Sequence, residues 1–113
     1  MFDSVTEVGM RSALDALSLR QRVIADNVSN INTPGYMARR VSFEDHFARA
    51  VARGRGDVQG VVRRSLDPTR LDGNNVNLET EMLSNIDTNL RYQVALRSVD
   101  GSFSKLRTAM RMN

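Results

Sequence analysis

The sequence predicts a mainly α-helical protein in which long amphipathic helices at the two ends pair as an antiparallel coiled coil. In both terminal segments, apolar residues recur at alternating spacings of four and three, which is the pattern of helices that pack along a narrow seam. Aromatic residues make up only 5% of the chain and tryptophan is absent, so large anchors for a sandwich or barrel are few. Between the two helices we expect a short middle helix and an extended linker or small hairpin.

These segments form one expected domain over residues 1–113, divided into an N-terminal helix (1–33), a turn with short helix and linker (34–77), and a C-terminal helix (78–113). The N-terminal helix can be capped by Asp3 or Ser4 and can run to Ile31. We expect its seam contacts at Leu14, Leu17, Ile24 and Val28. A long helix with a narrow apolar seam needs a partner helix.

The stretch 27–40 stops this helix and turns the chain back. Pro34 fixes a turn and restricts the residue before it, while Gly35 can supply the positive φ of a type II turn. The asparagines before them tolerate left-handed backbone and can also bind helix-end carbonyl groups through their side chains. We therefore predict that the helix ends in a tight turn at Asn27, Asn30, Thr33, Pro34, Gly35 and Tyr36.

The middle of the chain predicts a short helix followed by a long linker. Ser42 and Asp45 resemble a capping box, Phe43 and Phe47 share one face, and Gly54 supplies the stop. From 54 to 77 the chain is rich in glycine and turn residues, and only 57–65 resembles a strand. We expect the two phenylalanines to fill a gap beside the long helices.

The C-terminal helix is predicted to be capped by Asn77 and to make seam contacts at Leu96, Val99, Phe103 and Leu106. Asn85 and Asn89 fall on the same seam, where two alternatives remain open. Either they are buried and set the register, or the helix turns a second apolar line inward and leaves both on the rim. That second line is formed by Ile86, Leu90 and Val94, and it implies a second set of neighbours.

Composition argues against several classes of function. His46 has no second histidine, cysteine or paired carboxylate that would complete a metal or catalytic set, so we expect neither an enzyme nor a cofactor. The chain has no cysteine, no secretory signal peptide pattern and no stretch long enough to span a membrane, so direct membrane insertion is not expected.

The net charge of +3 arises in residues 35–70, which hold eight arginines against four acids. This leaves a small basic nucleic-acid-binding protein as an alternative, although aromatic interleaving is lacking.

The motif Asn27-x-x-Asn30-x-x-Thr33-Pro34-Gly35-Tyr36 at the end of an N-terminal helix resembles that of the bacterial flagellar axial proteins of rod, hook and hook junction. The short chain, the run Asp72-Gly73-Asn74-Asn75-Val76 ahead of the last helix, and Phe103-Ser104-Lys105-Leu106-Arg107 near its end are similar to proximal rod proteins.

This resemblance implies a structural subunit of the basal-body rod, which crosses the periplasm and transmits torque. It implies that the turn is an assembly motif formed by Asn27, Asn30, Thr33, Pro34, Gly35 and Tyr36. It also implies export from the cytoplasm by the flagellar type III apparatus. The implied partners are copies of the chain, FlgC-like rod proteins, a FliE-like adaptor and the ring protein FliF, with no nucleic acid. An export adaptor that stays in the cytoplasm is a further alternative.

Overall fold

The computed structural model describes residues 2–111, and the side chains of residues 7–101, 108 and 110. In this part of the chain, the elements follow the order α1 (Phe2–Ser29), β1 (Arg39–Ser42), α2 (Glu44–Ala52), β2 (Val61–Arg64) and α3 (Leu78–Arg111). The mainly helical class is therefore confirmed, with two long terminal helices and a small two-stranded hairpin. None of the described helices is both long and apolar enough to cross a lipid bilayer.

The two long helices pack against each other along part of their length. Near the middle of α1, the side-chain amide of Gln21 donates a hydrogen bond to Asn89 Oδ1 on α3. Near the end of α1, the Asn27 amide donates to Glu81 Oε1 at 3.1 Å. Because the partner numbers fall on α3 as they rise on α1, the helices run in opposite directions here. These contacts place the start of α3 beside the end of α1.

The small hairpin lies against the end of α1. Strand β1 pairs with β2 in antiparallel register, with Arg39 opposite Arg64 and Val41 opposite Val62. Strand β2 falls within the strand-like stretch expected at 57–65, whereas β1 was not predicted. Its four residues carry one buried apolar side chain, and its partner follows only after α2, so the pairing leaves no local pattern in the sequence.

The interior of the protein is small because the molecule measures only 67 × 25 × 14 Å. Ala16, Leu17 and Phe43 form the buried cluster, and Phe47 and Tyr92 pack against it. The Phe43 and Phe47 rings meet edge to face with centroids 6.4 Å apart, as expected of side chains that fill a gap beside the helices. A core of this size leaves much of the apolar surface of the long helices uncovered.

The buried face of α1 is broader than the narrow seam expected from the sequence. Ala16, Val23 and Asn27 are buried beside the seam residues Leu17 and Ile24. The physical reason is that α1 has more than one neighbour: α3 packs on it, and so do the hairpin and the segment before β2. The expected narrow seam was therefore wrong for this helix.

The start of α2 also differs from the expectation. Ser42 does not cap this helix, because it is the last residue of β1 and pairs with Val61. Phe43 occupies the cap position and no side chain there bonds to the helix. The predicted stop is confirmed, since Gly54 follows the helix with φ +76°.

In the first half of α3, the buried side chains are polar while large apolar ones face outward. Glu81 and Thr88 are buried, whereas the line of Ile86, Leu90 and Val94 is exposed. The alternative in which this line turns inward is therefore wrong within the single chain. Asn85 and Asn89 are exposed, as the second alternative expects of them, so within the single chain they are not buried at a seam. The side chains of the predicted contacts Phe103 and Leu106 lie outside the described residues.

Candidate functional site: the asparagine-anchored turn

The turn after α1 is a tight reversal centred on Pro34 and Gly35. The Tyr36 N–H donates to the Thr33 carbonyl at 3.2 Å, and Gly35 has φ +76°, the combination of a type II turn. The Gly35 N–H in turn donates to the Asp72 carbonyl at 2.8 Å, which ties this turn to the loop before α3. The predicted proline–glycine turn is confirmed.

The asparagines near the turn act through their side chains rather than through left-handed backbone. Among the described residues, positive φ angles occur only at glycines, so none of these asparagines adopts the left-handed backbone that the residue type tolerates. Asn30 instead donates its side-chain amide to the Asp26 carbonyl at 2.8 Å, which satisfies a carbonyl at the helix end. Its Oδ1 accepts from the Thr33 hydroxyl at 3.0 Å. The predicted satisfaction of helix-end carbonyl groups is confirmed.

Asn27 is fully buried and uses all four of its hydrogen-bonding positions. Its Nδ2 donates to the Arg39 carbonyl at 2.9 Å and to Glu81 Oε1 at 3.1 Å. Its Oδ1 accepts from the Arg39 N–H at 2.9 Å and from the Tyr36 hydroxyl at 3.4 Å. One side chain thus joins the end of α1 to the turn, to β1 and to α3.

Glu81 carries a buried negative charge at this junction. Its side chain is only 1% exposed, and its Oε1 accepts a short hydrogen bond of 2.6 Å from Arg40 Nη1. A buried carboxylate is stable only when a cation and hydrogen-bond donors compensate it. Arg40 supplies the cation and Asn27 a donor, although Glu81 Oε2 and Arg40 Nη2 have no hydrogen-bond partner. The start of α3 is therefore held to β1 by an ion pair.

Asn74 fastens the loop before α3 to the end of α1. It is fully buried, and its Nδ2 lies within hydrogen-bond distance of the carbonyls of Asn30, Ile31 and Thr33 at 2.9, 3.2 and 2.9 Å. Its Oδ1 accepts from the Val76 N–H at 2.7 Å. Because α1 ends at Ser29, these carbonyls belong to the turn that follows the helix, and this side chain holds that turn and the loop before α3 together.

Asn75 fastens the loop before α3 to the hairpin. Its Oδ1 accepts from the Ala38 N–H at 2.6 Å, just before β1, and its Nδ2 donates to the Ser65 carbonyl at 3.1 Å, just after β2. Each such bond contributes about 1 kcal/mol, and removing one of these side chains would leave buried backbone groups unpaired. The three buried asparagines 27, 74 and 75 therefore lock four segments into one rigid unit.

A second polar junction joins α1, α2 and α3. Both Nη atoms of Arg20 donate to the two carboxylate oxygens of Glu44 at 2.7 Å, and Nη2 also reaches the Val41 carbonyl at 2.7 Å. Arg91 on α3 approaches the same carboxylate at 3.3 Å. The Arg20 hydrogen bonds lower the pKa of Glu44 below its ordinary value, against the partial burial that would raise it.

The geometry is that of a mechanical junction. Its side chains bind backbone groups and each other, and the described residues contain no group of histidine, aspartate and glutamate side chains that could hold a metal ion. His46 is exposed on α2. The hydrogen bonds of this junction fix how the turn, β1 and α3 are oriented relative to the end of α1.

Comparison with known proteins places this junction in a family. Residues 10–36, which cover most of α1 and the turn, match the family model described as flagella basal body rod protein. The chain is 32% identical to the flagellar basal body rod protein FlgB of Borrelia hermsii, over 72% of this chain and 77% of that protein. It is 30% identical to FlgB of Escherichia coli, over 80% and 82% of the two chains. The FlgB protein of Bacillus subtilis is 27% identical over 95% and 94%.

The chain belongs to the FlgB family of flagellar basal-body rod proteins. It is therefore a structural component of the flagellar basal-body rod and not an enzyme. The part of the chain that matches the family model ends at Tyr36, whose hydroxyl donates to Asn27 Oδ1, so the match includes the turn of this FlgB-family chain.

The structure brings together only part of the predicted assembly motif of this FlgB-family chain. Asn27 and Tyr36 contact each other, and Asn30 contacts Thr33, whereas Pro34 and Gly35 are exposed at the turn. Of the predicted helix contacts, Leu17 and Ile24 are buried, Leu14 and Val99 are half-buried, and Val28 and Leu96 are exposed.

Sequence reasoning missed several residues of the junction. Glu81 lies in the first turns of α3, where its charge favours the helix dipole, and nothing in the local sequence pattern predicts that its side chain is buried. Asn74 and Asn75 were interpreted only as turn residues. The sequence does carry a signal for these two asparagines. A turn needs only one or two asparagine or aspartate residues, but the run 72–75 contains three, which indicates that some of them have another role.

Proposed function

We propose that this chain forms the proximal part of the flagellar rod by packing its paired terminal helices against neighbouring subunits. In this proposal α1 and α3 form an antiparallel coiled coil within one rod-type domain, and the assembled rod transmits torque across the periplasm. The neighbours are further copies of the chain, FlgC-like rod proteins, a FliE-like adaptor and the ring protein FliF. The chain reaches the basal body through the flagellar type III export apparatus.

The observation that carries this proposal is the exposed apolar face of α3. Met82, Ile86, Leu90 and Val94 lie on this helix at spacings of four, and each is more than half exposed in the single chain. Monomeric proteins rarely leave so long an apolar row uncovered, because each such side chain gains free energy when it is removed from water. Contact with neighbouring subunits would cover the row.

The asparagine-anchored turn supports the proposal in a second way. A shaft that carries torque needs subunits that do not bend at their joints, and buried hydrogen-bond networks restrict the conformations of the segments they join. In this chain the end of α1, the hairpin and the start of α3 are joined by Asn27, Asn74, Asn75 and the pair of Arg40 and Glu81. The long helices would then transmit force through a fixed junction.

Cell fractionation tests the proposal. The gene is deleted in its own host, a tagged copy is supplied, and hook-basal bodies are purified by detergent extraction and density centrifugation. We expect the tagged protein in the basal-body fraction, and we expect the deletion to lack rod, hook and filament. Tagged protein that stays in the cytoplasm, together with normal filaments in the deletion strain, would refute the rod role.

A further inference from the structure

A narrow seam of side chains runs along the outer face of α3, on the opposite side of the helix from the buried Glu81 and Thr88. Its members follow one another at alternating spacings of four and three, the pattern of a helix that pairs with another helix along one line. Three consecutive members are apolar, and each of these is more than half exposed in the single chain. We define it as the outer seam, made of Glu79, Leu83, Ile86, Leu90, Gln93 and Arg97.

The outer seam ends in opposite charges that have no partner of their own. Glu79 and Arg97 are both exposed, and neither forms a salt bridge with any of the described residues. The neighbouring Asp87 and Arg91 lie to one side of the seam and are paired with each other at 2.8 Å. The two end charges are therefore the ones that another molecule can reach.

The outer seam is complementary to itself when its direction is reversed. Glu79 and Arg97 lie at equal distances on either side of position 88, and so do Ile86 and Leu90. When two copies run antiparallel about this midpoint, each Glu79 meets Arg97 of the other copy, and each Ile86 meets Leu90. The contact then joins opposite charges at both ends and buries apolar side chains between them.

A parallel arrangement of two outer seams has no such match. In register, it places Glu79 beside Glu79 and Arg97 beside Arg97, and charges along a helix pair decide which orientation forms. A parallel pair that is shifted until Glu79 meets Arg97 moves the apolar residues of the two copies apart. The charge pattern therefore selects a second copy, in the antiparallel direction, as the occupant of this face.

We infer that the free chain forms a dimer in which the outer seams of two copies pack antiparallel. Both copies contribute the same surface, so the contact closes on itself and cannot grow into a longer assembly. This inference goes beyond the proposed function, because it concerns the chain before it meets other rod subunits. The dimer covers Ile86 and Leu90, which belong to the apolar row that we propose for contact with those subunits. Dimer formation and rod assembly therefore compete for one face of α3.

The contact is small enough to be reversible. From Glu79 to Arg97 the seam extends about 27 Å along a single helix. One helix face of this length buries less surface than a stable protein interface, so we expect monomer and dimer to exchange at protein concentrations of about 10 µM to 1 mM. A weak dimer of this kind shields the apolar row of free subunits and still releases them to neighbours that cover more surface.

Disulfide trapping tests the direction of the pair, because the native chain has no cysteine. Purified Leu83→Cys protein is mixed with a longer, tagged form of Gln93→Cys protein and oxidised, and the products are separated by mass. The antiparallel pair brings positions 83 and 93 to the same level and holds the two copies of position 83 about 15 Å apart along the helix axis. We expect the mixed dimer to exceed either homodimer by about tenfold.

The trapping experiment has a matched control and a contrary outcome. Ala48→Cys, at an exposed position of α2, replaces Leu83→Cys and should give no excess of mixed dimer. Homodimers in excess of the mixed dimer would indicate a parallel pair and overturn the inference. Equal yields of mixed dimer with Leu83→Cys and with Ala48→Cys would overturn it as well.

A charge exchange tests the ends of the seam. Glu79→Arg in both copies places two like charges at each end of the pair and should raise the dissociation constant of the dimer about tenfold, as measured by sedimentation equilibrium. Adding Arg97→Glu restores opposite charges and should return the constant close to its original value. Asp26→Arg makes the same change of charge at an exposed position of α1 and should leave the constant unchanged. Circular dichroism verifies that each variant is folded, and no recovery in the folded double variant would overturn the inference.

The result is distinguishable from that of the fractionation experiment, because the dimer is measured on the purified chain. Protein recovered in basal bodies but monomeric at all concentrations would overturn the dimer and leave the rod role intact. An antiparallel dimer of a chain that is absent from basal bodies would support the dimer and refute the rod role.

Discussion

The Asn27 side chain at the end of α1 donates a hydrogen bond of 3.1 Å to Glu81 at the start of α3, across 54 residues of sequence. Both side chains are buried almost completely. This contact and the bonds of Asn27 to Arg39 make the end of one long helix, the hairpin and the start of the other long helix a single unit. The rigidity of that unit leads to several predictions.

Replacing Asn27 by aspartate should destabilise the protein by about 3 kcal/mol. The change keeps the shape of the side chain but removes both Nδ2 donors and places a second carboxylate beside Glu81. Urea unfolding of the purified chain measures the loss. Asn32→Asp, which makes the same chemical change at an exposed position nearby, should remain within about 0.5 kcal/mol of the wild type. Equal effects at the two positions would contradict the role of Asn27.

The ion pair of Arg40 and Glu81 should be replaceable only as a pair. Glu81→Leu alone removes the partner of a partly buried arginine and should cost about 2–4 kcal/mol. Adding Arg40→Met should recover much of this loss, because two apolar side chains need no compensation of charge. A double-mutant cycle in urea gives the coupling free energy. Strictly additive effects would show that the two side chains do not depend on each other.

Alanine substitution should have different effects at three glycines, which lie in the turn, in the loop before α3 and inside α3. Gly35 and Gly73 both have positive φ, so either substitution should cost about 1–2 kcal/mol in backbone strain. A Cβ at Gly73 would also approach Gly35 Cα to 3.3 Å, whereas Gly35 has open space around it, so Gly73→Ala should cost more. Gly101→Ala, inside α3 with nothing nearby, should instead stabilise the protein by about 0.5–1 kcal/mol. Thermal unfolding of the three variants measures these effects, and any other order of stability would contradict this explanation.

The Glu44 carboxylate should make stability depend on pH. Because Arg20 lowers the pKa of Glu44 in the folded state, this interaction stabilises the protein above the unfolded pKa of about 4.3 and is lost as pH falls through the lower folded value. Glu44→Gln should therefore be less stable than the wild type at pH 7, by about 1 kcal/mol at most since the site is partly exposed. The difference should shrink below pH 4. An unchanged difference at pH 3 would contradict this explanation.

Much of the fold follows from local pattern. The periodicity of both terminal segments, Asn77 as the cap of α3 and Pro34–Gly35 as the turn are all visible in a few neighbouring residues, and the Thr80 N–H does bond to Asn77 Oδ1 at 3.3 Å. The orientation of α3 could not be predicted in the same way. Its apolar lines favour burying leucine and isoleucine, yet Glu81 and Thr88 face α1.

The reason lies in partners that are far apart in sequence or absent from the single chain. Glu81 is buried because Arg40 and Asn27 compensate it, and no spacing in the sequence pairs these three residues. The apolar row of α3 faces outward in the single chain, and in our proposal neighbouring subunits cover it. A pattern within one chain cannot distinguish a row that packs inside the chain from a row that packs between chains.

The exposed apolar row of α3, which we propose as an assembly surface, is therefore the most direct point of test. Ile86→Lys with Leu90→Lys places two charges on the exposed row and should leave monomer stability within about 0.5 kcal/mol of the wild type, because neither side chain is buried in the chain. Asn85→Lys with Gln93→Lys adds the same charges at exposed polar positions of the same helix as a control. The measurement is the amount of tagged protein recovered in purified basal bodies. We predict near-complete loss for the first pair and substantial recovery for the control, whereas wild-type recovery of a folded Ile86→Lys, Leu90→Lys protein would contradict assembly through this face.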